Sequence, residues 1–178
     1  IYIVRDPRNV ITSLKNHFEM NDSDALEFML NKNKYTYNYH AENDYSDFQF
    51  ISSWENNYKS WRNQKYIPVK FIKYEDLNSK TYEVFKDLIK FINITSKNQN
   101  IFKKDKAQKA IYSSSFDNLK TIESKNGFSE SVLSKNRTKK ISFFHLGPKN
   151  NWKNIFSEDY QNKLTLKFES NLKELNYI

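Results

Sequence analysis

The 178 residues hold 38% hydrophobic and 16% aromatic side chains, enough for one folded domain and too much for a disordered tail. Without cysteine there are no disulfides and no thiolate metal sites, and a cytoplasmic setting is the default expectation. A formal net charge of +8 favours an anionic partner, whether nucleic acid, a membrane face or a phosphorylated small molecule, although an AT-rich genome would enrich Lys and Asn equally. No apolar run reaches the ~20 residues of a membrane span, and no basic-then-apolar start resembles a signal peptide.

Residues 1–4, Ile-Tyr-Ile-Val, read as a buried strand. A domain seldom opens mid-sheet, so residues upstream of Ile1 are expected to be absent. Asp6-Pro7 then starts a helix, with a carboxylate at the cap and proline at the first helical position. Val10, Leu14 and Phe18 follow at helical spacing and carry it to about Glu19. Residues 20–47 are polar and Tyr-rich, with a helix expected near 24–34 and a loop around Asn43-Asp44. Phe50, Trp54, Tyr58 and Trp61 step by three or four and predict an aromatic helix face. Pro68 ends that stretch, and residues 69–73 form the second strand, parallel to the first in a βαβ arrangement.

After a turn at Tyr74-Glu75-Asp76-Leu77, where Glu75 and Asp76 are expected to cap, a helix carries Phe85, Leu88, Ile89 and Ile92 on one side. Another covers roughly 103–113, and a shorter one follows Phe116. Residues 124–150 are polar, carry Arg137, Lys139, Lys140 and Lys149, and read as a loop that orders on binding. Ser157 caps the last helix, with Glu158 and Asp159 in its first turn and Tyr160, Leu164, Phe168 and Leu172 facing inward. Trp152 and Phe156 are expected to pack that helix. With no repeat and no Gly/Ser- or Pro-rich linker, the pattern is α/β and the whole of 1–178 reads as one domain.

The informative unit is Tyr2-Ile3-Val4-Arg5-Asp6-Pro7-Arg8-Asn9-Val10-Ile11-Thr12-Ser13. A guanidinium stands at the carboxyl end of a strand, where ligands of parallel α/β sheets bind, beside a helix N-terminus that attracts phosphate. Arg5 offers a planar fork for two phosphate oxygens, and Ser13 a hydroxyl to the same anion. On spacing alone, Arg5 could equally pair with Asp6 or Asp76, and Ser13 could be an ordinary helix residue.

The string YIVRDPRNVITSLKNH resembles the 3′-phosphate-binding segment of sulfotransferases that use 3′-phosphoadenosine 5′-phosphosulfate. Three further segments resemble that family in the same order. Phe71-Ile72-Lys73-Tyr74-Glu75-Asp76-Leu77 is similar to its strand and Tyr-Glu-Asp-Leu turn. Ser114-Ser115-Phe116-Asp117-Asn118-Leu119-Lys120 is similar to its Ser-Phe-x-x-Leu/Met-Lys segment. Gly147-Pro148-Lys149-Asn150-Asn151-Trp152-Lys153-Asn154 is similar to its late Gly-x-x-Gly-Asp-Trp-Lys-Asn loop. The resemblance implies that Arg5 and Ser13 hold the 3′-phosphate, that Tyr74 borders the adenine, that Ser114 and Phe116 form the stacking segment, and that Gly147 and Lys149 belong to the closing loop. Where the family has Arg-Lys-Gly, this chain has His145-Leu146-Gly147, so His145, Lys149 or Arg137 would have to supply the missing basic contact.

The resemblance also implies a P-loop-NTPase-like three-layer parallel sheet flanked by helices, incomplete here, with the first strand and its phosphosulfate loop absent. A phosphate-cradling loop needs several small residues, and the chain has two glycines, Gly127 and Gly147. The donor-activating Lys and the catalytic base are expected upstream of Ile1. The expected function is therefore part of a sulfuryl transfer to a hydroxyl or amine on a small-molecule or glycan acceptor, with no metal, no nucleic acid and no membrane, the residues present being inactive alone. The alternatives are a non-catalytic module for adenosine bisphosphate or another anion, and a basic protein gripping single-stranded nucleic acid. His17 and His40 lack a metal-ligand pattern and read as satisfied surface or pocket histidines.

Overall fold

A computed structural model describes residues 1–36, 48–98 and 100–178; His40 and the loop expected around Asn43-Asp44 lie outside them. The first strand, β1 (Tyr2–Val4), leads into α1 (Pro7–His17) and α2 (Asp22–Leu30). A short antiparallel pair follows, β2 (Tyr35–Thr36) with β3 (Gln49–Phe50), then α3 (Trp54–Arg62) and β4 (Phe71–Lys73). Strands β1 and β4 pair in parallel, Tyr2 opposite Phe71 and Val4 opposite Lys73, so the expected βαβ crossover is present. Among the described residues the parallel sheet has these two strands.

The rest is helical: α4 (Tyr74–Ser79), α5 (Thr81–Thr95), α6 (Lys104–Ser113), α7 (Phe116–Asn126), α8 (Glu158–Lys167) and α9 (Glu169–Glu174), with short 3-10 turns at Gly147–Lys149 and Trp152–Asn154. No described helix is long and apolar enough to cross a membrane.

Several local expectations change. Tyr74–Leu77 is the first turn of α4 rather than an open turn, and that helix has no side-chain cap. Glu75 instead accepts the Asp6 backbone N–H at 3.1 Å and the Tyr177 hydroxyl at 2.8 Å, tying β1, β4 and the C-terminus together. Phe50 belongs to β3, so the aromatic helix face starts at Trp54. The last helix breaks at Phe168 into α8 and α9, and Ser157 takes its cap position without a side-chain bond.

The main core joins Ile11 of α1 and Ala25, Leu26 and Met29 of α2 to Trp152, Phe156, Leu164, Phe168 and Leu172. The buried face of α1 thus centres on Ile11 rather than on Val10 and Leu14. Those two are only half-buried and turn partly toward a cleft. A smaller cluster of Val4, Tyr58 and Leu175 locks the sheet to α3 and the C-terminus.

Candidate functional site

The corner between β1 and α1 is built around one buried ion pair. Asp6 caps α1 by accepting the Arg8 N–H at 2.9 Å, and the Arg8 guanidinium returns to the same carboxylate, with Nη2 2.7 Å from Oδ2 and Nε 3.0 Å from Oδ1. The flat of that guanidinium lies 4.1 Å from the centre of the Trp152 ring. Arg8 therefore neutralises Asp6, which leaves the neighbouring arginine free of it.

Arg5, one residue beyond β1, pairs with neither Asp6 nor Asp76. Its guanidinium sits 4.2 Å over the Tyr74 ring, and Nη2 donates to the Gly147 carbonyl at 3.3 Å. Its Nε is buried and has no hydrogen-bond partner. Buried donors without acceptors are rare in folded proteins, and one on a cation is the more costly to leave unmet.

Arg5 lines a cleft of about 430 Å³ with Ser13, Tyr74, Phe116, His145 and Gly147. Ser13 is exposed on the open side of α1, and its hydroxyl has weak or shared partners: the Asn9 carbonyl at 3.3 Å and the Asn150 amide at 3.1 Å. Gly147 adopts φ +52°, and the Phe116 ring packs directly on it. Glycine is needed there on both counts.

The far wall is aromatic. Phe144 meets Phe116 edge-on at 6.1 Å and packs with Phe143 and Phe128 at 5.2 and 5.1 Å. This wall is fixed by Glu123 of α7, whose carboxylate accepts from Ser131 and Ser142 hydroxyls at 2.7 Å and from the Phe143 and Phe144 amides at 2.7 and 3.0 Å. Burial pushes the Glu123 carboxyl up, but the four hydrogen bonds outweigh it and hold the pKa down at about 2. His17 closes one end of the cleft, edge-on to Phe143 at 6.0 Å. Its burial lowers the imidazole pKa, opposed by the charge of Glu130.

Of the residues singled out in the sequence, Arg5, Ser13, Tyr74, Phe116, His145 and Gly147 share this cleft. Lys149 lines an adjoining hollow with Phe116, Lys120 and His145. Ser114 lines neither, since its hydroxyl donates to the Ala110 carbonyl at 2.8 Å and closes the end of α6. Arg137 also lies outside both linings. Sequence reasoning missed Thr12, Asn16, Phe143, Phe144 and Asn150 as cleft residues. The Asn150-Asn151 departure from Gly-Asp was the available signal for the last of these. No group of three metal-ligating side chains occurs among the described residues.

Comparison with known proteins bears on this geometry. A family model described as "Sulfotransferase domain" matches residues 1–176. The fold is similar to the crystal structure of mouse sulfotransferase SULT7A1 complexed with PAP, with a TM-score of 0.65 at 19% identity. That match covers 97% of this chain and 57% of the mouse chain, so the chain spans little more than half the length of that structure. No curated protein matches by sequence.

Proposed function

Because the chain belongs to the sulfotransferase domain family, we propose that its cleft binds the adenosine 3′,5′-bisphosphate portion of 3′-phosphoadenosine 5′-phosphosulfate, within a protein that transfers a sulfuryl group to a hydroxyl or amine of a small-molecule or glycan acceptor. When bound, the donor supplies an activated sulfuryl group on a phosphate leaving group. The β1–β4 pair then belongs to a P-loop-like three-layer parallel sheet.

The observation that carries this reading is the state of Arg5. Its Nε is a buried cationic donor with no partner, next to a hydroxyl on the open side of α1, in a cleft with two aromatic faces. A phosphate oxygen satisfies that donor, and a guanidinium fork takes two such oxygens. Ser13 adds a neutral donor to the same group. Tyr74, at the β4–α4 corner, and Phe116, at the start of α7 after the α6–α7 link, offer flat apolar surfaces to a purine, a contact that excludes water and orients the base.

Arg5 thus binds and Tyr74 positions: the ring under the guanidinium limits its rotamers, so less freedom is lost when the anion arrives. The two basic residues missing before Gly147 are compensated in part by His145 in the cleft and Lys149 and Lys120 in the adjoining hollow. Both glycines sit at single positive-φ turns, Gly127 and Gly147, and neither lies in a run of small residues able to wrap a second phosphate. The role read for these residues is to hold the nucleotide.

Calorimetric titration with adenosine 3′,5′-bisphosphate tests the reading. Wild type should bind and Arg5→Ala should bind about 10–100-fold more weakly, as expected for hydrogen bonds to a charged group. Equal binding by the two would refute it, and loss only on neutralising many lysines would point to nucleic acid instead.

A further inference from the structure

Asn150 is nine-tenths buried, at 7% exposure, in the wall of the cleft, and every polar atom of its side chain is engaged with α1. Its Nδ2 donates to the Asn9 carbonyl and to Ser13 Oγ, both at 3.1 Å, and its Oδ1 accepts from Thr12 Oγ1 at 2.6 Å. The opposite amide orientation would set Oδ1 against the Asn9 carbonyl with no proton between two acceptors, so the donor must face Asn9 and Ser13.

We propose that Asn150 is a positioning residue for the anion grip: its N–H occupies an acceptor lone pair of Ser13, so that the Ser13 proton is left to the bound anion. This rests on the reading of the cleft given above. A hydroxyl has one proton. Among the described residues the Ser13 proton has one alternative protein acceptor, the Asn9 carbonyl at 3.3 Å, which already receives the Asn150 N–H and lies 2.7 Å from Thr12 Oγ1. A phosphate oxygen carries charge and is the stronger acceptor, so it takes the proton. Asn150 also hydrogen-bonds three successive groups around one turn of α1, which fixes the height of Ser13 relative to the loop that carries Gly147.

The test compares adenosine 3′,5′-bisphosphate with adenosine 5′-monophosphate on the full chain by calorimetry. The two ligands differ only in the phosphate that Arg5 and Ser13 are read to hold. Asn150→Ala should weaken the bisphosphate by about three- to tenfold and leave the monophosphate within about twofold, because one neutral hydrogen bond is lost. Asn150→Asp should weaken it further at neutral pH, since a carboxylate cannot donate to Ser13, claims its proton and repels the anion. Lowering the pH toward protonation of that carboxyl should restore part of the affinity, a pH profile that a purely structural role would not produce.

Equal losses for both ligands, or no loss for either, would overturn the proposal. Should the Asp variant fail to fold, the ligand ratio of the Ala variant decides alone. Arg5→Ala and Ser13→Ala separate the two levels. If these weaken the bisphosphate while the Asn150 variants do not, only the role of Asn150 falls. If they change nothing, or wild type does not bind, the reading of the cleft falls with it.

Discussion

The Phe116 ring stands where a side chain at residue 147 would be: a Cβ on Gly147 would lie 2.2 Å from Phe116 Cε2. This close approach joins the start of α7 to the loop beside Arg5, whose Nη2 bonds the Gly147 carbonyl. The position of one cleft aromatic and the position of the cleft cation are therefore linked through a single glycine.

Gly147→Ala should destabilise the chain by about 1–3 kcal/mol, from positive-φ strain together with displacement of the ring. Combined with Phe116→Ala, the clash is relieved and only the strain, about 1 kcal/mol, remains. Denaturant unfolding of both single variants and the double variant measures the coupling; strict additivity would contradict the contact.

Asp6→Ala removes the cap of α1 and strands Arg8 in a site where the paired side chains are 8% and 6% exposed. Breaking a buried pair from one side costs about 3–5 kcal/mol, and the same change should be visible in urea unfolding. A loss below about 1 kcal/mol would mean that the pair behaves like a surface contact.

Glu123 makes an acid-dependent contribution. Its folded pKa, about 2, lies below the ordinary value of 4.5, so its stabilisation is complete above that ordinary value and is lost as pH falls toward 2. Glu123→Gln should lower stability at neutral pH and speed hydrogen exchange at the Phe143 and Phe144 amides. The difference from wild type should shrink across that acid window. A difference independent of pH would contradict it.

His17 acts with the opposite charge and at higher pH. Its folded pKa is lowered from 6.5, so the unfolded chain binds the proton more readily, and stability present above 6.5 declines as pH falls below it. His17→Gln should flatten that part of the pH–stability curve, as read by thermal unfolding. An unchanged slope between about pH 6.5 and 5 would show that the imidazole is not desolvated.

Much of this was readable from residue order. Asp6-Pro7 announced α1, and the β-branched and aromatic run before Tyr74 announced β4, because caps and strand propensities act locally. The strand–Arg–helix–Ser spacing left Arg5 open between an ion pair and an anion, and only the family resemblance favoured the anion; the fold then brought Arg5 and Ser13 to one cleft. What escaped was decided by tertiary partners. Helical spacing of Val10, Leu14 and Phe18 marked α1 as a helix, but not that Ile11 is its fully buried residue with Val10 and Leu14 only partly buried against the same core, since α2 and the C-terminal helices approach from the Ile11 side. Glu75 and Asp76 looked like caps, yet Glu75 is used by Asp6 and Tyr177, 69 and 102 residues away. Nothing local marks Glu123 as the anchor of residues 131–144, because its four donors come from a loop without periodic structure. Ser114 and Phe116 share one motif, but the end of α6 turns the serine back on its own helix.

A crystal structure of the chain with adenosine 3′,5′-bisphosphate tests the central claim most directly. The account predicts 3′-phosphate oxygens within hydrogen-bond distance of the Arg5 guanidinium, Nε included, and of Ser13 Oγ, with the purine between Tyr74 and Phe116. A phosphate seated instead beside Lys120 and Lys149, with Arg5 still bonded to the Gly147 carbonyl and Ser13 to its own helix, would contradict it.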